Sequence, residues 1–211
     1  TLFIRHHMGL GDHFICNGLV RYFAAKNSVC LVSKPHNAST VRAMFSDLPQ
    51  VEIHEGYDDL ADELMRGWDG PIVNCMINTP ERNELLANKR MTFDQIFYYA
   101  AQIPFECKYA LAAAPRCSAE EEQGFIGLNA PQIYAFVHDS SSTQPPTEQT
   151  RFRLDALAGL PLIRPKLGIT NNILNYRLTI ERAAAVHCQD SSFLQMVDAL
   201  DLAHGRRYFH A

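Results

Sequence analysis

At 211 residues, with 47% hydrophobic and 20% charged residues, the chain has the composition of a soluble globular protein, long enough to bury one sizeable core or two small ones. Its net charge of −4 gives no general field for nucleic acid, which is excluded as a partner, or for an anionic membrane surface. Any grip on a phosphate must come from local arginines, lysines and backbone amides, and no apolar run approaches the roughly 20 residues that span a bilayer.

The first segment, Leu2-Phe3-Ile4, opens a strand that ends near His7, with no leader-like segment before it. From Phe14 to Lys26 the residues Ile15, Leu19, Tyr22 and Phe23 recur on one helical face. Val29 to Val32 reads as a short buried strand, Ser39 to Phe45 as a short helix, and Val51 to His54 as a third strand. Asp58 to Trp68 is predicted as a helix whose acidic start suits the positive N-terminal end. Pro71 to Met76 is a fourth strand and Met91 to Gln102 a further helix. The stretch that follows carries Pro104, Pro115 and Pro131, and Ser118 with Glu121 makes a capping box for one short helix.

The rhythm then restarts with strands at Ile133–Val137, Leu160–Ile163 and Ala184–Cys188. Between the last two, Asn171 or Asn172 caps a helix with Ile173, Tyr176, Ile180 and Ala183 on one face. A last helix follows Asp190-Ser191-Ser192 and carries Phe193, Val197 and Leu200. Short continuous apolar strands alternating with helices predict an α/β fold with mostly parallel sheets covered on both faces. The expected organisation is two small Rossmann-like lobes, 1–105 and 131–211, joined by a connection over 106–130, the second lobe reduced to three clear strands. The basic, aromatic tail Gly205–His210 is left to pack on the first lobe or to meet an interface. The six cysteines, Cys16, Cys30, Cys75, Cys107, Cys117 and Cys188, form no C-x-x-C pair and lie mostly in apolar segments, so a reduced, cytoplasmic protein is expected.

Ligands of open α/β sheets bind outside the carboxyl ends of the strands, often at helix N-termini. The first such corner is Met8-Gly9-Leu10-Gly11-Asp12, where Gly9 and Gly11 would allow a sharp turn. It is not the dinucleotide fingerprint: Phe14 stands in place of the third glycine, and the second strand ends in Val32-Ser33-Lys34 without a ribose-binding carboxylate. Asp12 is suited both to capping a helix and to taking a proton from an attacking hydroxyl. The second half offers two polar corners, Val137-His138-Asp139-Ser140-Ser141-Ser142 and His187-Cys188-Gln189-Asp190-Ser191-Ser192. Hydroxyls and free amides at a helix start suit an anion, although Asp190 or Ser191 would equally serve as a plain N-cap.

In order, a strand, G-x-G-D, an amphipathic helix, then much later a strand, Asp-Ser-Ser and a helix resemble the GT-B glycosyltransferases, in particular the heptosyltransferase-like, family 9-like enzymes of bacterial surface-polysaccharide synthesis. The resemblance implies an acceptor-binding first lobe and a nucleotide-sugar-binding second lobe facing a cleft, with no bound metal or other cofactor beyond the nucleotide sugar as co-substrate. It implies that Asp12 is the general base and that Asp190 and Ser191 contact donor phosphates. Ser192 departs from the glycine of that motif. The partners implied are a nucleotide-diphosphate sugar and a saccharide or glycolipid acceptor, with peripheral membrane association left open.

A metal-free transfer needs cations or helix N-termini to stabilise the leaving diphosphate. Arg151, Arg153, Arg164 and Lys166 near the upper edge of the second lobe qualify, each also readable as a solvated surface charge. His138 is placed to donate to sugar or phosphate, or to sit as an edge histidine. His6 and His7, adjacent in a strand, point to opposite faces, and with His13 they make no metal set. Phe93, Phe97 and Tyr98 read as the buried face of a helix, and Trp68 as packing. The alternatives to a glycosyltransferase are a non-catalytic sugar- or nucleotide-sugar-binding relative, and another α/β phosphate enzyme, although no Ser-His-Asp order, S-x-x-x-K or Y-x-x-x-K pair is visible.

Overall fold

A computed structural model describes residues 1–77, 79–140, 159–166, 168–203 and 206–210. The chain divides into two compact units, Thr1–Pro115 and Arg116–Ala211. Residues 106–115 thus go with the first unit and 116–130 with the second.

Unit 1 is built on strands β1 (Leu2–Arg5), β2 (Val29–Ser33), β3 (Val51–Glu55) and β4 (Ile72–Asn74), all parallel in the order β3-β2-β1-β4. Every residue of β1 and β2 is buried, as continuous apolar runs require of a sheet covered on both faces. The first helical stretch is two helices, α1 (Leu10–Ile15) and α2 (Asn17–Ala24), rather than the single one the periodicity predicts. The break at Cys16 serves long-range contacts. The buried Asn17 amide donates to the Ala113 carbonyl and its oxygen accepts from Ala113 N–H, both at 2.9 Å. Helices α3 (Ala38–Met44) and α4 (Asp58–Gly67) follow. Leu60, Leu64, Met65 and Trp68 pack on a core that includes Phe3, Met8 and Cys30. Next come α5 (Thr79–Ala87), α6 (Phe93–Ala100) and α7 (Cys107–Ala110), of which only α6 is expected from the sequence.

Gly18 in α2 lies directly under α7, where a Cβ would collide with the Cys107 carbonyl oxygen and sit 2.8 Å from its carbon. Because the obstacle is backbone, Gly18→Ala must push the two helices apart. We expect it to cost about 1–3 kcal/mol in urea denaturation; an unchanged midpoint would show that α7 is not held against α2.

Unit 2 opens with α8 (Ser118–Leu128), whose N-cap is Cys117. The expected Ser118/Glu121 capping box is not made, because Glu121 is buried and accepts from Arg116, which also pairs with Glu181. Strands β5 (Ala135–His138), β6 (Leu162–Ile163), β7 (Ala185–Gln189) and β8 (Arg207–His210) form a second all-parallel sheet in the order β6-β5-β7-β8. The sheet therefore has four strands rather than three, and the C-terminal tail is the fourth, paired in register with β7 from Val186↔Arg207 to Gln189↔His210. Between β6 and β7, Asn172 caps a 3-10 turn at Ile173–Tyr176, accepting from Leu174 N–H at 3.1 Å, and α9 (Arg177–Arg182) continues it. Helix α10 (Ser192–Ala199) follows β7.

In each sheet the chain winds to one side of its first strand and then returns to the other, so β1/β4 and β5/β7 are the points where strand order reverses. Crevices at the carboxyl ends of such strands are where open α/β sheets take ligands. Among the described residues, no helix is long and apolar enough to cross a membrane.

Candidate functional site

The sequence-predicted site residues fall into two groups, one in each unit. In unit 1 the corner follows β1. Gly9 is the N-cap of α1, with φ −65° and ψ 146°, and its N–H donates to Asp12 Oδ2 at 3.1 Å. Neither Gly9 nor Gly11 uses a glycine-only backbone angle: Gly11 lies in the first turn of α1, and the positive-φ glycines among the described residues are Gly159 and Gly168. What glycine provides at position 9 is room for the carboxylate: a Cβ there would lie 2.6 Å from Asp12 Oδ2, which would have to turn aside. Asp12 thus closes the turn as a cap while remaining half-buried, with a carboxylate at the mouth of the β1 corner.

The turn is anchored from both sides. Buried Asn37 donates to the Met8 carbonyl at 3.2 Å. Arg5, almost wholly buried, donates to the His6 carbonyl and to Asp58 and Asp62, tying the start of α4 to the end of β1. His7 emerges half-buried against Phe93 and Phe97, ring centroids 6.1 and 5.8 Å away. Burial, then the Arg82 and Arg5 guanidinium groups, lower its imidazole below the ordinary value. Phe97 and Tyr98 are core, as expected, but Phe93 is 41% exposed and belongs to this corner. His7, Arg82 and Phe93 carry no motif that marks them in the sequence; the only hint is an aromatic residue placed directly after the capping residue Thr92.

In unit 2 the ends of β5, β6 and β7 bring His138, Asp139, Arg164, Asp190, Ser191 and Ser192 to one edge. Ser191 is the N-cap of α10, its Oγ accepting from Leu194 N–H. Across the β5/β7 crevice the same oxygen lies 2.9 Å from His138 Nδ1. The His138 ring leans on Phe193, centroid to centroid 4.5 Å, and burial lowers its imidazole to about 4, so it is neutral at pH 7. Arg164 clamps Asp139 through Nε and Nη2, the shortest contact 2.7 Å. Burial alone would raise the Asp139 carboxyl, but the Arg164 hydrogen bonds and charge outweigh it and hold it low. The arginine is therefore already neutralised by a neighbouring carboxylate.

Lys166 is exposed, its backbone held by the Tyr176 hydroxyl, which accepts from Lys166 N–H and donates to its carbonyl. Asp190 is exposed, with Oδ1 3.4 Å from the Gln195 amide nitrogen. Ser192 opens α10. Arg151, Arg153, Ser141 and Ser142 lie outside the described residues. Among the described residues no three His, Cys, Asp or Glu side chains are grouped to hold a metal ion.

Chemically, unit 2 thus presents a neutral imidazole, a capping hydroxyl and the Asp190 carboxylate around the first turn of α10, with one exposed ammonium, Lys166, beyond the end of β6. Unit 1 presents the Asp12 carboxylate in the first turn of α1 and, after β1, the half-buried His7 imidazole against the exposed Phe93 ring.

No family model matches the chain. No curated protein matches it either. Among solved structures it is similar to the crystal structure of the glycosyl transferase family 9 from Veillonella parvula DSM 2008. The superposition covers 99% of this chain and 86% of that one, with a TM-score of 0.56 and 9% sequence identity. At that identity the likeness is one of fold: an α/β chain carrying two sheets of parallel strands.

Proposed function

We propose that the chain is a glycosyltransferase, moving a sugar from a nucleotide-activated donor to a saccharide or glycoconjugate acceptor without a metal ion. The observation that carries this reading is the β5/β7 corner, where His138, Ser191 and the amides that open α10 converge at a strand-order reversal. The likeness to a glycosyl transferase family 9 fold supports it.

In this reading the amides of Ser192 and Phe193, with Lys166, receive the diphosphate, and the α10 dipole favours the charge that develops as it leaves. The Asp190 carboxylate takes hydroxyls of the donor rather than phosphate oxygens. Asp12 in unit 1 takes the proton of the acceptor hydroxyl, and Phe93 and His7 line its approach.

A non-catalytic sugar- or nucleotide-sugar-binding relative is the second reading. It is favoured by the Arg164–Asp139 pair, which removes one cation from the stabilisation of a leaving diphosphate.

Thermal shifts with UDP, GDP, ADP and CDP test the donor site. A ligand at 100 times its Kd adds about 2.7 kcal/mol of stability, and Asp190→Ala is expected to reduce the shift given by the preferred nucleotide. If none of the four stabilises the protein, the donor reading is wrong; a shift untouched by Asp190→Ala removes Asp190 from the site. Binding without any transfer from the matching nucleotide sugars would select the second reading.

A further inference from the structure

His138 and Ser191 come from strand ends 53 residues apart, and the contact between them spans the crevice where a ligand of this sheet would lie. Ser191 has one proton to give. Its oxygen already accepts from Leu194 N–H, as the cap of α10 requires. Among the described residues the hydroxyl has one acceptor within reach, His138 Nδ1 at 2.9 Å. Giving the proton there satisfies all three groups at once. The opposite arrangement, with Nδ1 donating, would load the serine oxygen with two donors and leave its own proton without a described acceptor.

A neutral imidazole that accepts at Nδ1 carries its proton at Nε2, on the far side of the ring. The Nε2 nitrogen has no hydrogen bond to a described residue. Phe193, tilted 35° to the imidazole and 4.5 Å away, fixes the ring plane, so the direction of that N–H is set by the fold.

We infer that the chain Leu194 N–H to Ser191 Oγ–H to His138 locks His138 as the Nε2–H tautomer, and that this N–H is a neutral hydrogen-bond donor to a phosphate oxygen of the bound nucleoside diphosphate. This rests on the donor reading proposed above. Ser191 is then a positioning residue, whose hydroxyl is spent on His138 instead of on the ligand. His138 binds as a dipole rather than as a charge. The imidazole is neutral at pH 7 because burial lowers it to about 4, and Asp139, the carboxylate beside it, is itself neutralised by Arg164.

Two measurements on the full chain test this. In 15N-labelled protein, two-bond nitrogen–proton correlation of the histidine rings, with His138 assigned by its disappearance in His138→Gln, is expected to show Nδ1 bare and Nε2 protonated at pH 7. Ser191→Ala is expected to blur that preference into a mixture of tautomers. In titrations with UDP, GDP, ADP, CDP and pyrophosphate, His138→Gln, whose amide nitrogen reaches the place of Nε2, is expected to keep the wild-type affinity within about threefold. His138→Asn, whose amide reaches only the place of Nδ1, is expected to lose about tenfold, the worth of one hydrogen bond. Melting curves of both variants verify that they fold.

A ring protonated at Nδ1, or equal affinities for the Gln and Asn variants, overturns the inference while leaving the donor reading standing. Failure of the wild-type protein to bind any of the five probes overturns the donor reading and this inference with it.

Discussion

Asp12→Asn is expected to lower transfer by two to four orders of magnitude, the range that a positioned general base contributes. It is expected to do so without a comparable loss of stability. The carboxylate has a structural duty as well, because Oδ2 accepts the Gly9 N–H that closes the turn into α1. An asparagine keeps an oxygen for that bond and loses only the affinity for a proton, so the substitution separates the two duties. Asp12→Ala removes both, and should cost about 1 kcal/mol of stability through the lost cap in addition to activity. The measurement is release of nucleoside diphosphate from a panel of UDP-, GDP- and ADP-sugars, with melting temperatures recorded alongside. An Asp12→Asn variant that turns over at the wild-type rate would leave the carboxylate as a cap and nothing more. Gly9, where a Cβ would press on this same movable oxygen, adds a check on geometry. Gly9→Ala should displace the carboxylate and lower activity while leaving its charge in place.

What the sequence made legible follows from how local each cause is. The seven strands read from apolar runs all form, in order, because a strand's apolar signal is carried by its own few residues, even where, as in β4 and β6, only two or three of them pair. β8 reads from the sequence as a basic, aromatic tail, yet as a sheet edge it needs only one partner, and β7 supplies it. Helix α5, Thr-Pro-Glu-Arg-Asn-Glu-Leu-Leu-Ala, has no apolar stripe to detect. The division between α1 and α2 is set by Asn17 reaching Ala113, and no pattern within residues 10–24 contains that information. Likewise Glu121 stands three residues after Ser118, as a capping box asks, but is claimed by Arg116. The corners show the same limit. Glycine and hydroxyl-rich turns after strands mark where side chains gather, whereas the pairing of Arg164 with Asp139 and of His138 with Ser191 links residues 25 and 53 apart. Arg164, read alone as a cation for phosphate, is thereby changed in its chemistry by a neighbour that spacing could not reveal.

Acid is expected to weaken unit 1 well before the carboxylates titrate, and the cause is a pair of buried imidazoles behind the β1 corner. His6 and His13 meet edge to face, ring centroids 4.6 Å apart, and are 3% and 1% exposed. His6 Nδ1 donates to the His7 carbonyl, while neither ring nitrogen of His13 has a hydrogen-bond partner among the described residues. Burial lowers His6 to about 4, against the raising influence of the His7 carbonyl, and burial with the neighbouring His6 lowers His13 well below 6.5. Between pH 6.5 and about 4 the unfolded chain therefore holds more protons on these groups than the folded one, and stability falls as pH falls through that window. For His6 alone the drop from 6.5 to about 4 amounts to roughly 3 kcal/mol. Asp47 and Asp58, held low by hydrogen bonds from Arg21 and Arg5, add their loss only below their ordinary value of 3.8. His138 titrates in the same window in unit 2, so the probe must be specific to unit 1. The single tryptophan, Trp68, packs 5.3 Å from Phe3 and provides it. Urea titrations followed by its fluorescence at pH 7, 6, 5 and 4.5 should show a midpoint that descends steeply below pH 6.5. His13→Leu removes two buried, unpartnered nitrogens, so it should raise stability at pH 7 by roughly 1 kcal/mol and flatten the descent. A midpoint independent of pH would mean that these rings exchange protons with solvent and do not support the glycine turn as a neutral core; a leucine variant as acid-sensitive as the parent would assign the descent to His6 alone.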